Sequence, residues 1–246
     1  MSEILKTDAI VLRKINQGDS SVIVSLFTPL FGKITVIAKG VKSPKSKMNS
    51  RLEIFNHVEV VFYRKQNRDI QMVKGADIIE VHNGIIEDID KYMFASAVLE
   101  LFVKLLPENE KHEILFKGIL RILKLFNKSE ENPKILFIKF FIFFINEIGY
   151  GLQLKKCSLS NANLSDSRQV YYSYNEGFLC EECGPDNLTN FNFSAELFGI
   201  LVCLSSKNNS VDCSSEELNF LISFLQKHIG FHIDQFKGLN SLKIFD

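Results

Sequence analysis

The sequence lacks the features that would assign it to a common class of enzyme or to a membrane. It contains no G-x-x-x-x-G-K-[ST] phosphate-binding loop, so ATP hydrolysis through such a loop is not expected. The opening residues, MSEILKTDAIVL, have neither a long apolar core nor a cleavage-like site, so we expect no signal peptide. The most apolar run, residues 135–148, is shorter than the roughly 20 apolar residues of a spanning helix and includes Lys139. It predicts a buried helix.

The sequence also lacks an even set of cysteines and any net charge. Its five cysteines, three of them clustered, argue against a secreted disulfide framework, and we expect a cytoplasmic protein. The formal net charge is zero, so the overall balance favours no partner. The charge is nevertheless uneven, because residues 1–80 carry 13 Lys or Arg against 8 Asp or Glu. This asymmetry indicates that the N-terminal part contacts a polyanion.

Short apolar or alternating runs separated by turn signals dominate the first 80 residues. They predict five strands, at about residues 9–12, 22–27, 34–38, 58–63 and 70–73. Five short strands in this length suit a small closed barrel such as the OB fold, and an SH3-like barrel fits the same pattern. Aromatic residues are present in these runs, but the pattern does not tell which of them face outward.

After residue 82 the apolar period changes to three and four residues, which predicts helices at about 90–106, 114–126 and 133–148. Two further helices are predicted to begin near Ser194 and Ser214, and the insert at about 150–192 reads as irregular. We therefore expect an α+β protein, with a five-stranded OB-fold β-barrel domain over residues 1–82. A helical domain over 83–246, which contains the cysteine-bearing insert, would follow it.

No acidic residue occurs between Ser20 and Leu52, a stretch that is rich in lysine. Its Gly and Pro residues predict a basic loop, which could follow a phosphate backbone and release counterions. OB folds bind single strands with such a charged groove and with stacking side chains. A lysine-rich loop can also be merely solvated. The candidate DNA-binding residues are Arg13, Lys33, Lys39, Lys42, Lys45, Lys47 and Arg51.

These segments resemble the opening of the RecO family. The matching pieces are TDAIVLR at residues 7–13, GDSSVIVSLFT at 18–28, FGKITVIAKGV at 31–41 and SPKS at 43–46. They occur in the family's order and at close spacing, which is more specific than a single short motif. The helices and the cysteine-bearing insert extend the resemblance over the whole chain.

The resemblance implies a recombination mediator that is not an enzyme and has no catalytic residues. Such a protein would bind single- and double-stranded DNA, anneal complementary strands without ATP and help load the RecA recombinase. Its expected partners are RecR and the C-terminal tail of the single-strand-binding protein, and its expected location is the bacterial cytoplasm, associated with the nucleoid. The residues that match the family's basic positions are Arg13, Lys33, Lys39, Lys42 and Lys45. The alternative is a protein-interaction module without direct DNA binding.

Three cysteines of the insert resemble part of a zinc site. Many RecO-like chains carry two Cys-x-x-Cys pairs here, and four thiolates would close a tetrahedral structural site. The second pair, Cys180 and Cys183, is complete. The first pair is not, because Ser160 stands three residues after Cys157, where the second cysteine would be. We therefore expect no cofactor, with zinc on Cys157, Cys180 and Cys183 as the less favoured possibility.

Overall fold

The computed structural model describes residues 3–43, 46–65, 67–206 and 212–243. The chain forms two compact units, of which the first comprises Met1–Pro133 with Leu239–Asp246 and the second Lys134–Gly238. Residue 82 marks the change from strands to helices. The first unit continues beyond this residue because the helices that follow pack against the strands.

Five strands close into a barrel in the first unit, as the sequence predicts. They are β1 Glu3–Gln17, β2 Ser21–Thr28, β3 Gly32–Ala38, β4 His57–Arg64 and β5 Ile70–Glu80. Their order around the barrel is β1-β2-β3-β5-β4, and only the β3–β5 pair is parallel among the described strands of the barrel. This Greek-key order is that of an OB fold, so the OB prediction is confirmed over the SH3-like alternative.

The long first strand serves two neighbours and closes the barrel. Its first half pairs with β4 and its second half with β2, and the register shifts between Val11 and Arg13. A bulge of this kind bends a strand and increases its twist, which lets one strand take part in both sides of a barrel.

Alternate residues of the strands fill the barrel. Val22, Val24 and Leu26 of β2 and Val36 of β3 are fully buried, whereas the residues between them are partly exposed. Successive side chains of a strand point to opposite faces, so this alternation separates a packed interior from an outer face. The outer face is therefore defined by residue parity along each strand.

The described residues of the first unit form four α-helices: α1 Met48–Arg51, α2 Asn83–Ile86, α3 Ile89–Leu105 and α4 Glu113–Lys128. The Asp88 carboxylate accepts the backbone N–H groups of Asp90 and Lys91 and so caps the start of α3. The ring of Phe27 lies 4.8 Å from that of Phe102 and 6.0 Å from that of Phe116. This buried contact joins β2 to α3 and α4.

In the part of the second unit that the structure describes, three α-helices occur together with a small sheet. The helices are α5 Pro133–Glu147, α6 Ala195–Ser205 and α7 Ser215–His232, and the strands are β6 Gln169–Ser173, β7 Gly177–Leu179 and β8 Phe191–Ser194. The strand order is β7-β6-β8. The sequence predicts an irregular insert at about 150–192, and the structure instead places short strands there. The strands form through backbone pairing of β6 with β7 and β8, and the composition of the insert gives no signal of this pairing.

The phenylalanine-rich segment forms α5, which buries eight residues around much of its circumference. Its apolar character therefore reflects a core helix, as predicted. Within the described part of the chain, no helix is both long enough and apolar enough to cross a bilayer.

Candidate nucleic-acid interface

The outer face of β2 and β3 carries small and apolar side chains without any acid. Ser25 of β2 is paired with Thr35 of β3, and Ile23 is paired with Ile37. All four side chains are partly exposed, and neither strand contains Asp or Glu. The acid-free sequence extends over residues 11–17, 20–52 and 70–76, so it includes the neighbouring parts of β1 and β5. An anion that approaches this side of the barrel meets no carboxylate on these segments.

Two predicted DNA-binding residues lie on this outer face. Arg13 is exposed and opposite Ser25, so its side chain is on the same side of the sheet. Lys39 is exposed and directly follows β3, two residues after the outward-facing Ile37. Among the described residues, neither cation forms a hydrogen bond or an ion pair. Both can therefore meet an external phosphate without first breaking an internal bond.

Three further predicted residues lie in the segment between β3 and β4, and they differ in whether their cations already have a partner. Lys42 donates its ammonium to the Gly18 carbonyl at 2.8 Å, which holds the loop after β3 against the β1–β2 turn. Lys47 is exposed just before α1. Arg51 donates to the Ala76 carbonyl at 2.8 Å and pairs with Asp77 at 3.0 Å.

The remaining predictions require a correction and an exclusion. Lys33 is only 7% exposed, and its ammonium donates to the Val103 carbonyl at 2.8 Å. Burial lowers the pKa of Lys33, and the nearby Glu108 carboxylate opposes this shift. The expectation that Lys33 contacts DNA is therefore wrong, because its ammonium is buried and already donates to a backbone carbonyl of α3. Lys45 lies outside the described residues.

Most aromatic residues of the barrel are unavailable for stacking. Phe27, Phe55 and Phe62 are buried, and Phe31 packs edge-on against Phe62 at 5.7 Å. Tyr63 of β4 is partly exposed at an outward position.

Residues that the sequence reasoning missed lie on the same outer face. Lys74 of β5 is exposed two residues after the exposed Met72, and Ile15 of β1 is 43% exposed. The sequence signal for both is an apolar or basic residue at an outward position of an acid-free strand segment, residues 11–17 of β1 or 70–76 of β5. Reading this signal requires strand register, which depends on distant pairing.

The three cysteines of the insert are brought together in the second unit. The Sγ atoms of Cys157, Cys180 and Cys183 lie within 4.8 Å of one another. Ser160 stands beside them, with its hydroxyl 3.5 Å from the Cys180 Sγ. Burial acts to raise the pKa of the Cys157 thiol, but hydrogen bonds from Ser160, Cys180 and Leu159 outweigh it and lower the pKa to about 6.

The donor set therefore falls one thiolate short of a closed tetrahedral zinc site. A serine hydroxyl occupies the neighbourhood of the missing ligand, and it is a poor zinc ligand. The backbone N–H groups of Cys183 and Gly184 donate to the Cys180 carbonyl at 3.2 and 2.9 Å. These bonds can hold the turn without a metal, and we keep the expectation that zinc is not required.

The aromatic core beside the cysteines provides a second support. The Tyr172 ring lies 4.9 Å from Phe178 and 5.0 Å from Phe224, and the Tyr172 hydroxyl is 2.5 Å from Nδ1 of His228. His228 Nε2 is 2.9 Å from the Tyr150 carbonyl, and burial lowers the His228 pKa to about 4. A neutral His228 that donates from Nε2 and accepts at Nδ1 satisfies both contacts, which links β6 to α7.

Replacing Ser160 with cysteine is expected to create a tight zinc site. The variant would supply four thiolates, whereas the parent offers three. Elemental analysis of untagged protein should find about one zinc per chain in the variant and far less in the parent. Cys203→Ser, on α6, is the matched control and should leave the zinc content unchanged. Near-stoichiometric zinc in the parent would contradict this expectation.

A barrel of the OB type, joined to a helical unit with a three-cysteine insert, defines a two-unit OB-fold protein. The family model described as Recombination protein O N terminal matches residues 1–82, and the model described as Recombination protein O C terminal matches residues 86–242. The chain belongs to the Recombination protein O (RecO) family, and it has a role in DNA repair and recombination.

Curated relatives match this chain over three quarters or more of their length. The chain is 31% identical to DNA repair protein RecO of Chloroherpeton thalassium, over 99% of this chain and 98% of the relative. It is 29% identical to DNA repair protein RecO of Chlorobium limicola, over 94% and 93% respectively. It is 26% identical to DNA repair protein RecO of Clostridium novyi, over 80% and 75%. The resemblance found in the sequence is thereby confirmed.

Proposed function

We propose that this chain is a recombination mediator that binds DNA through the outer face of its barrel and performs no catalysis. It binds single- and double-stranded DNA, anneals complementary strands without ATP and helps load RecA, with RecR as a partner. It acts in the bacterial cytoplasm, at the nucleoid. The observation that carries the proposal is the acid-free outer face formed by β2, β3 and the adjoining segments 11–17 of β1 and 70–76 of β5, with Arg13 and Lys39 free to meet phosphates.

The electrostatic part of the proposal follows from the distribution of charge. The chain as a whole is neutral, so non-specific attraction to DNA must come from a local concentration of cations. Cations on one face of a barrel neutralise phosphates and release counterions, whatever the base sequence. Annealing follows if two strands of any sequence can be held and neutralised on one surface.

An annealing assay tests this function directly. Two complementary oligonucleotides, each coated with single-strand-binding protein, should form duplex faster in the presence of the chain and without any nucleotide. Adding salt should suppress the acceleration, because the contacts are largely ionic. The function is refuted if the chain leaves the annealing rate unchanged at low salt, or if acceleration requires ATP.

A second candidate function, docking of a partner peptide, is favoured by a cleft in the second unit. The cleft has a volume of about 380 Å³, and its walls include Tyr174, Phe231 and Phe236 together with Lys227 and Lys237. The rings of Tyr174 and Phe231 are stacked with centroids 4.6 Å apart, and Phe231 is 47% exposed. Apolar walls flanked by lysines suit an apolar, acidic peptide such as the tail of the single-strand-binding protein. A labelled tail peptide should bind the parent and not a Phe231→Ala variant.

A further inference from the structure

Three thiols from two segments of the insert meet in one cluster, and the proposed function makes no use of them. Cys157 lies in the loop before β6, and Cys180 and Cys183 lie in the turn after β7. Their Sγ atoms lie within 4.8 Å of one another. A bond of about 2.3 Å from each of three sulfurs reaches a common central atom when the sulfurs are about 4 Å apart. The cluster can therefore close on one atom through small side-chain rotations.

Backbone hydrogen bonds hold the two segments together without a ligand. The Ser158 N–H donates to the Phe178 carbonyl of β7 at 2.9 Å. The Cys157 N–H donates to the Ala162 carbonyl at 2.8 Å, and the Asn161 N–H donates to the Cys157 carbonyl at 3.0 Å. These bonds close the loop around the first thiol and fix it against the strand that leads to the other two. A preorganised set of ligands loses less conformational freedom on binding than a flexible one.

The number of thiols favours a ligand that is complete with three sulfurs. Among the His, Cys, Asp and Glu side chains of the described residues, no fourth one joins this group within 4.8 Å. Zinc in a structural site takes four protein ligands, and with three it keeps an open position for water. Trivalent arsenic forms three bonds in a pyramid and has a lone pair in place of a fourth ligand. Its coordination is therefore satisfied by the three thiols alone.

Charge and burial favour the same ligand. Cys157 is 1% exposed and Cys180 is 3% exposed, and a buried charge without a partner is costly. Three thiolates leave a net charge of one negative unit with a zinc ion and none with trivalent arsenic. In the part of the chain that the structure describes, no lysine or arginine is bonded to these sulfurs, and the neighbouring Glu181 and Glu182 are acidic. This environment accommodates the neutral complex without any compensating cation.

We propose that Cys157, Cys180 and Cys183 form a three-thiol binding site for trivalent arsenic. The ligand arrives as arsenous acid, in which arsenic carries three hydroxyl groups. Each thiol forms one arsenic–sulfur bond while one arsenic–oxygen bond breaks, and the thiol proton leaves with the hydroxide as water. Three waters are released, arsenic stays trivalent, and neither an oxidant nor a reductant is needed. Cys183 is partly exposed, so it is the thiol that an incoming ligand meets first.

Native mass spectrometry of the reduced full-length chain, titrated with sodium arsenite, tests the site. We expect one arsenic per chain, with a mass gain equal to one arsenic atom less three hydrogens. An adduct that keeps a hydroxyl group would show only two bonds to sulfur and would overturn the three-thiol site. Arsenite should also protect Cys183 from alkylation by iodoacetamide while Cys213, which is likewise partly exposed, is alkylated as before. Unchanged alkylation of Cys183 would overturn the proposal without any variant.

Replacing Cys183 with serine removes the most accessible of the three thiols. Arsenite affinity should fall at least about tenfold, and the remaining adduct should keep one hydroxyl group, because only two bonds to sulfur can form. The matched control replaces Cys203 and Cys213 with serine, which removes the two cysteines outside the cluster. This control should bind arsenite as the parent does. Equal losses in the two variants would place the arsenic elsewhere on the chain.

The Ser160→Cys variant separates a preference for arsenic from a general affinity for thiophilic ions. A fourth thiolate should tighten zinc binding at least about a hundredfold while arsenite affinity stays within about threefold of the parent, since arsenic uses only three thiols. In the parent, arsenite should remain bound when an equal concentration of zinc is added. Displacement by zinc would overturn the proposed preference. None of these measurements involves DNA, so their failure would leave the proposed function intact.

Discussion

Replacing Arg13 and Lys39 with glutamate is expected to weaken binding to single-stranded oligonucleotides by about a hundredfold at low salt. Each substitution removes a cation that can neutralise a phosphate and introduces a carboxylate that repels one. Because both side chains are exposed and unpaired among the described residues, the substitutions leave no internal group without a partner. The negative slope of log K against log salt should become shallower by about 1.4, since each phosphate contact contributes about 0.7.

The matched control makes the same change of charge elsewhere in the first unit. Lys117 and Arg121 are exposed on α4, and their double replacement with glutamate alters the net charge by the same amount. This control should reduce affinity only slightly, through the overall field. If the two double variants lost affinity equally, net charge rather than the outer face of the barrel would explain binding.

The Gly32→Ala variant is expected to lose at least about 3 kcal/mol in its free energy of unfolding. A Cβ at this position would lie 1.8 Å from the Glu110 carbonyl oxygen, so the backbone of one segment would have to move. Gly32 also has a φ of +64°, which disfavours other residues. The contact is built around the next residue, because the Asn109 N–H donates to the Lys33 carbonyl at 2.8 Å.

Gly40→Ala separates the clash from the conformational cost. Gly40 has a similar φ of +68°, but a Cβ there would meet nothing within 4 Å. Its replacement should cost about 1 kcal/mol, the penalty for the left-handed conformation alone. Urea denaturation of both variants measures the difference. Similar losses of unfolding free energy in the two variants would contradict the prediction. They would show that the backbone around Glu110 moves easily to accommodate a Cβ at residue 32.

The Gly32-Lys33 pair illustrates how far sequence reasoning reaches. A glycine and a lysine within a basic, acid-free stretch predict a turn and a phosphate contact, and the turn is correct. The partner of Lys33 is the Val103 carbonyl, 70 positions away along the chain. No local pattern reveals such a contact. The structure thus reassigns a residue that matches the RecO pattern from DNA contact to the joint between the barrel and α3.

Element types were predictable because their signals are local. Apolar alternation and turn residues gave the five strands of the barrel, and apolar periodicity gave the long helices. The full length of β1 was not predictable, since its two halves pair with different strands around a bulge. The sheet of the cysteine-bearing insert was not predicted for a related reason. Its strands are short, and they pair with strands on the far side of loops.

The proposed binding surface was only partly predictable. Composition indicated the domain that carries the proposed surface and the cations on it, since charge can be counted without a structure. The outward positions of Ile15, Ile23 and Ile37 required the register of the strand pairs, and composition alone would have assigned these isoleucines to the core. The sequence left open which aromatic residues face outward, and the structure buries Phe27, Phe55 and Phe62. Whether a side chain points into the barrel or out of it depends on the assembled barrel, whereas composition does not.

Crosslinking would locate the DNA on the protein most directly. A single strand carrying photoreactive thymidine analogues is irradiated with the parent chain at low salt, and the attached peptides are identified by mass spectrometry. We predict crosslinks to the outward residues of β1, β2, β3 and β5, concentrated around Ile23 and Ile37. Crosslinks confined to Lys134–Gly238, with none on the barrel, would contradict the central claim that the outer face of the barrel binds the strand.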